Sequence, residues 1–246
     1  MILELDCGNS WIKWRVLSSA DSQVLFVGSV AGVEQLIDAL LGLPGLNLLR
    51  CRLSSVRSQD ITSRLTDLIS GKFAIECVVA RSLPRWAGVT NGYCEPDRLG
   101  VDRWLAMLAA FNQVAGACLI IDVGTAVTID FVSQDGRHLG GYICPGLRLM
   151  TEQLVASAQG LAHLRVSVES LLGLSPGQST ADAVVRGGVL MLRGFIGAQL
   201  RLAPDLLGES FTLFLTGGDA ELVGELSVQA RVVNDLVFVG LAIACP

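Results

Sequence analysis

The chain has 246 residues, 51% of them hydrophobic and only 17% charged, with a formal net charge of −5. That composition supplies one large or two ordinary buried cores and excludes a disordered chain. No basic run or Lys/Arg-rich tail is present, which removes the electrostatic basis for nucleic-acid binding and for docking on an anionic membrane surface.

In chain order, strands are predicted at 2–6, 11–17 and 23–29, followed by a helix over 32–42 that Pro44 and Gly45 stop. A strand near 48–54, a helix near 58–69 ended by Gly71 and a strand at about 73–80 complete a β-β-β-α-β-α-β order. Residues 81–100 hold Pro84, Gly88, Asn91, Gly92, Pro96 and Gly100 without periodicity and read as a long loop, of the kind that is usually either functional or disordered. A helix begins near Val101. The uncharged run from Trp104 to Ile121 raises a transmembrane question, but Asn112, Gln113 and Gly116 interrupt it, and it reads as a helix followed by a buried strand. The N-terminus has neither a basic region nor an apolar core of the kind a signal peptide needs.

The second half repeats the opening. Strands are expected at 117–122, 126–133 and 137–143, then a helix after Pro145-Gly146 and an irregular stretch at 159–179. A long helix follows from about Thr180 to Leu202, its pattern broken at Gly187-Gly188 and Gly194. A strand at 211–215, the turn Thr216-Gly217-Gly218, a helix from Asp219 and a last strand and helix finish the chain. Two halves that each begin with three strands and then alternate indicate α/β architecture, divided into 1–114 and 115–246.

The repeat extends to particular residues. Leu3, Asp6, Gly8 and Val16 recur at a constant offset as Leu119, Asp122, Gly124 and Val132. In each copy an Asp ends an apolar strand and a Gly makes the turn. Such a turn lets backbone N–H groups approach a phosphate, while the Asp holds a bridging cation. A single Asp-x-Gly is a common β-turn sequence; two at matching positions favour phosphate binding. Asn9, Ser10 and Thr125 add small polar groups, and Lys13 reaches a phosphate as a point charge.

Asp102-Arg103 opens the helix after the long loop. Helix-start charge preference explains that pair as well as a general base beside a cation does. His138 and His163 lack partner motifs and read as surface or structural. The seven cysteines are odd in number and widely spaced, with no Cys-x-x-Cys, which favours reduced thiols over disulfides or a zinc site. Cys94, in a polar loop, is the one to watch. No Walker-A or Gly-x-Gly-x-x-Gly pattern occurs.

Taken in order, Asp6-Cys7-Gly8-Asn9-Ser10, the loop from Tyr93 through Pro96 to Gly100-Val101-Asp102-Arg103-Trp104, Asp122-Val123-Gly124-Thr125-Ala126, Gly140-Gly141 through Pro145-Gly146-Leu147, Ser179-Thr180-Ala181 and Thr216-Gly217-Gly218 resemble the motifs of the type III pantothenate kinases. That family belongs to the acetate/sugar kinase–Hsp70–actin superfamily, and the resemblance covers essentially the whole chain. It implies two ribonuclease H-like (actin-like ATPase) domains, each a mixed sheet flanked by helices, with a cleft between. It also implies transfer of the ATP γ-phosphate to the terminal hydroxyl of pantothenate, giving 4'-phosphopantothenate, the first step of coenzyme A synthesis.

By the same resemblance Asp102 is the general base. Arg103 and Tyr93 contact pantothenate, Gly100 and Val101 shape its pocket, and Thr180 contacts it from the partner subunit or the facing wall. Asp6 holds Mg²⁺; Cys7, Gly8, Asn9, Ser10, Trp11, Ile12, Lys13 and Thr125 surround the ATP phosphates; Gly217 and Gly218 take the adenosine. Asp122 carries a monovalent cation, K⁺ or NH₄⁺. Ser10 stands where Thr is common, and Lys13 belongs to a run, Trp11 to Trp14, that looks like a subgroup feature. The resemblance further implies a cytoplasmic homodimer with no nucleic-acid or membrane partner. The rival readings are a superfamily kinase or phosphatase acting on a sugar or polyphosphate, a transcriptional accessory protein, and a structural nucleotide-binding protein like actin. The accessory reading predicts loss of a carboxylate among Asp6, Asp102 and Asp122, and all three are present.

Overall fold

The computed structural model describes residues 1–157, 175–227 and 229–246. The chain divides into two compact units, Met1–Gln113 with Asp235–Pro246, and Val114–Asn234.

The first unit is built on a five-stranded sheet. Its strands are β1 (Ile2–Cys7), β2 (Ile12–Leu17), β3 (Val24–Val30), β4 (Arg50–Ser55) and β5 (Glu76–Val79). The order is β3-β2-β1-β4-β5, with β1, β2 and β3 antiparallel and β4 and β5 added in parallel. Strand alternation sends Leu3, Leu5 and Cys7 to one face. There they bury with Trp14 and Leu53, with Leu36 and Leu40 of α1 (Val33–Leu41), and with Leu65 and Ile69 of α2 (Gln59–Phe73). Each helix supplies its pair at i and i+4, the spacing that puts side chains on one face.

Helix α2 does not stop at Gly71, as the sequence suggests, but runs to Phe73 and ends at Ala74, in the left-handed conformation (φ 53°). Phe73 packs against the first core, and that burial outweighs the ~1 kcal/mol that an interior Gly costs a helix. Strand β5 consequently begins only at Glu76.

Residues 81–100 are more ordered than the predicted loop. They contain a hairpin of two short strands, β6 (Arg85–Trp86) and β7 (Val89–Thr90), joined by Ala87 (φ 45°) and Gly88 (φ 86°). Two successive residues with φ > 0 make the tight turn that suits a hairpin. Asn91, buried, ties the loop together: its side chain donates to the carbonyls of Leu83 and Pro96 and accepts from the Tyr93 amide. A short 3₁₀ turn, Pro96–Arg98, leads into α3 (Val101–Val114), which is buried along Arg103–Ala110.

The second unit repeats the first sheet's plan. Strands β8 (Cys118–Val123), β9 (Ala126–Val132), β10 (His138–Pro145), β11 (Thr212–Thr216) and β12 (Arg231–Val232) lie in the order β10-β9-β8-β11-β12. Again three are antiparallel and two are added in parallel. Leu119, Ile121, Val123, Val127, Ile129 and Phe131 form its core with Leu147 of α4 (Leu147–Ser157). The long helix α5 (Thr180–Leu207) is continuous through Gly187, Gly188 and Gly194 and extends past the expected Leu202. Ser179 caps it, accepting from the Asp182 amide at 3.2 Å. By length and composition α5 could cross a bilayer, but its Val185, Val189, Leu192 and Ile196 recur at helical spacing and pack into the second core. After β11 comes a 3₁₀ stretch, Ala220–Ser227, in place of the helix predicted from Asp219. Of the irregular stretch expected at 159–179, residues 159–174 lie outside the described residues.

The last helix, α6 (Leu236–Ala244), returns to the first unit rather than joining the second half. The connection is electrostatic as well as apolar. Glu4 is fully buried, with Arg15 directly across the ladder on β2 and Arg52 directly across on β4. Both arginines donate to its carboxylate. Arg15 also reaches Asp235 at 2.6 Å and lies over the Phe238 ring, and Arg52 donates to the Cys245 carbonyl at 2.9 Å. Two positive and two negative side chains thus close the sheet's second face with no net charge.

Candidate active site

In the first unit the phosphate-type turn grows directly from the buried strand. Asp6 is the fifth residue of β1, half-exposed where its neighbours are buried. Lys13 stands directly opposite it on β2, so the carboxylate and the ammonium rise from the same face of the ladder. Cys7 is buried, and burial first, then the Asp6 charge, pushes its thiol up to about 12. It therefore stays protonated and serves as a small apolar side chain. Gly8, Asn9, Ser10 and Trp11 form the turn, with the last three exposed. Ile12 restarts the sheet and is fully buried. Arg57, which the sequence reading missed, donates Nε to the Gly8 carbonyl at 2.8 Å.

The second constellation of this unit spans the loop and the start of α3. Asp102 sits in the first helical turn, where unpaired N–H groups favour a carboxylate. Its Oδ1 accepts from the Arg103 amide at 2.8 Å. A Cβ at position 100 would come within 2.7 Å of that oxygen, so Gly100 leaves room for it. Arg103 is buried and its Nη1 donates to the Tyr93 hydroxyl at 2.8 Å, with the guanidinium 5.7 Å from the ring centre. The structure therefore brings Tyr93, Asp102 and Arg103 together. Gly100 and Val101 line a neighbouring cavity of about 550 Å³ at the carboxyl ends of β4 and β5. Ligands in α/β sheets favour that edge.

In the second unit Asp122 is the fifth residue of β8, with the same burial pattern as Asp6 in β1. The two turns differ in length. Cys7 pairs with Ile12, but Val123 pairs with Val127, one residue sooner. As a result Val16 corresponds in the sheet to Phe131 rather than to Val132: Leu3 faces Val16, and Leu119 faces Phe131. The shorter turn is packed from two sides. A Cβ on Gly146 would lie 2.0 Å from the Gly124 carbonyl, and the Gly146 amide donates to Thr125 at 2.9 Å. Gly217 (φ 98°) presses on the same strand end, where a Cβ would meet the Val123 carbonyl at 2.2 Å. Thr216 is the ladder partner of Asp122, and the Asp219 amide donates to the Val123 carbonyl. Asp122, Thr125, Gly146, Gly217 and Gly218 are thus parts of one assembly. Beside it lies a mainly apolar cavity of about 310 Å³, lined by Leu147, Arg148, Val185, Asp219 and Leu222. No sequence motif marks any of these lining residues as a ligand contact. Leu147 and Asp219 were visible only as parts of turns. Thr180 is the first residue of α5.

Among the described residues no three His, Cys, Asp or Glu side chains converge as a metal cage. Asp6 and Asp122 each offer a single carboxylate, which suits a hard cation completed by phosphate oxygens and water. All seven cysteines are free thiols, and Cys94 is exposed. His138 is buried and hydrogen-bonded to buried Asp130 at 2.9 Å, a structural role; His163 lies outside the described residues.

Comparison with known proteins assigns the family. The model of the type III pantothenate kinase family matches residues 2–201. A Pseudomonas putida protein named type III pantothenate kinase is 54% identical over 247 residues, covering 100% of this chain and 99% of the relative. One from Azotobacter vinelandii, with the same name, is 49% identical over 249 residues with the same coverage. Among solved structures, a conserved Campylobacter jejuni protein described as a Baf family transcriptional activator superposes with a TM-score of 0.60 at 20% identity, over 98% of this chain and 95% of that one. Porphyromonas gingivalis acetate kinase gives 0.54 at 11% identity, over 99% and 98%. These two likenesses concern the fold, the two-domain actin-like arrangement of mixed sheets flanked by helices. By family model and by full-length similarity, the chain belongs to the type III pantothenate kinases.

Proposed function

We propose that this protein transfers the γ-phosphate of ATP to the terminal hydroxyl of pantothenate, producing 4'-phosphopantothenate and ADP at the first step of coenzyme A synthesis. Similarity to type III pantothenate kinases over the whole chain carries the reading. In the proposed reaction the Asp102 carboxylate takes the hydroxyl proton as the oxygen bonds to the γ-phosphorus and the bond to the bridging oxygen of ADP breaks. Arg103, anchored on Tyr93, orients pantothenate, with Gly100, Val101 and Thr180 around it. Residues Cys7 to Lys13 and Thr125 hold the nucleotide phosphates, and Gly217 and Gly218 take the adenosine. The apolar cavity beside Gly217 offers a place for the purine. Asp6 holds Mg²⁺, which neutralises phosphate charge when bound, and Asp122 holds K⁺ or NH₄⁺. The working protein is a cytoplasmic homodimer without nucleic-acid or membrane partners.

ATP turnover with pantothenate, with and without K⁺, in wild type and in Asp102→Asn, tests this reading. Loss of the base is expected to lower kcat by ~10²–10⁴-fold and leave the KM for ATP nearly unchanged. Near-normal turnover in Asp102→Asn removes that residue from catalysis. Activity is expected to need K⁺ or NH₄⁺, and full activity without either one counts against the role given to Asp122.

A further inference from the structure

Arg57 follows β4, and its backbone is fixed by a small network. The Ser55 hydroxyl accepts from the Arg57 amide at 3.3 Å and bonds the Thr62 hydroxyl at 2.7 Å, and Thr62 in turn donates to the Ser58 carbonyl. β1 and β4 run parallel with Cys7 opposite Ser55, and the Val56 amide continues the ladder to the Cys7 carbonyl. Arg57 is therefore carried past the end of the sheet alongside the Gly8–Trp11 turn. Its Nε–H is spent on the Gly8 carbonyl. Among the described residues its guanidinium makes no other hydrogen bond and no ion pair, although the side chain is half-buried. The N–H groups of both Nη atoms are left for something else. Arg57 also lines the cavity that reaches Gly100 and Val101. A half-buried guanidinium without a carboxylate partner, held by one N–H so that its planar fork has a fixed orientation, suits an incoming oxyanion.

We propose that Arg57 is an anion-binding residue of the kinase site, receiving an oxyanion of a substrate on its Nη groups while its Nε–H holds the phosphate turn in place. The proposal rests on the pantothenate kinase reading, which offers two such oxyanions: a nucleotide phosphate and the pantothenate carboxylate. Both present the same chemistry to a guanidinium.

Calorimetric titration of wild type, Arg57→Ala and Arg57→Lys, with a non-hydrolysable ATP analogue plus Mg²⁺ and separately with pantothenate, distinguishes them. In Arg57→Ala the affinity for one of the two is expected to fall roughly 10- to 100-fold, the scale of a lost charged hydrogen bond, with the other nearly unchanged. Loss confined to the analogue identifies a phosphate as the anion, and loss confined to pantothenate identifies the carboxylate. Arg57→Lys keeps a cation without the fork and is expected to recover part of the loss. It also carries the comparison if the Ala variant does not fold. Unchanged affinity for both ligands overturns the proposal. So does an equal loss of both accompanied by a lower thermal midpoint, which gives Arg57 a purely structural role. Turnover of wild type with pantothenate is measured alongside. If wild type is inactive, the kinase reading fails by itself; if wild type is active and both affinities survive in Arg57→Ala, only the role of Arg57 fails.

Discussion

A carboxylate in the middle of an apolar strand is costly unless it is answered in place. Glu4 is answered by Arg15 and Arg52 across the two ladders that flank it, and the four-charge cluster with Asp235 has no net charge. Removing the central charge leaves two arginines facing each other in a dry site. Glu4→Gln is expected to destabilise the fold by about 3–5 kcal/mol, the cost of breaking a buried ion pair, read from the midpoint of urea unfolding. The cluster was illegible in the sequence. Glu4 lies far from Arg52 along the chain, and only the parallel register of β1 with β4 sets them side by side. Asp6, by contrast, was legible, because the residues that give it meaning are its immediate neighbours. The same distinction separates Tyr93 from Arg57. A motif carries Tyr93, whereas Arg57 acquires its role only when β4 is laid beside β1.

At the scale of elements, the turn after β8 depends on what is pressed against it. Gly146, at the entrance to α4, leaves no space for a side chain beside the Gly124 carbonyl. Gly146→Ala is expected to displace the Asp122–Thr125 turn and weaken ATP-analogue binding by roughly 10-fold or more, with far-UV circular dichroism retained, since overpacking costs about 1–3 kcal/mol and acts locally. The paired hairpins and most of the strands could be read from apolar runs and turn residues, whereas the order of strands within each sheet emerges only in the fold. The hairpin at Arg85–Thr90 could not: its strands are two residues long, too short for alternation to register, and Ala87 adopts a positive φ that its residue type does not announce. Gly71 misled in the opposite direction, because the burial of Phe73 decides where α2 ends.

At the scale of the molecule, the sequence suggests a division into 1–114 and 115–246, and in the structure α6 belongs to the compact unit of residues 1–113. An apolar helical pattern says that a helix is buried and is silent about which sheet buries it. Here Asp235, the Cys245 carbonyl and Phe238 hold it to β1, β2 and β4, and the Trp86 indole donates to the Ile243 carbonyl. Truncation before Asp235 is expected to expose residues 1–113 to limited proteolysis and leave fragments of 114–234 comparatively resistant. Mass spectrometry of early cleavage products checks this, and equal resistance of the two units in the truncated protein would count against α6 as the closing element.

The return of α6 also fixes an order of events during synthesis. A ribosome delivers the first sheet long before residues 235–246, so Glu4, Arg15 and Arg52 are all synthesised before the helix that covers them exists. The second unit, whose residues are contiguous, has all its own strands before the first unit has its lid. On the nascent chain the N-terminal half is therefore made first and completed last.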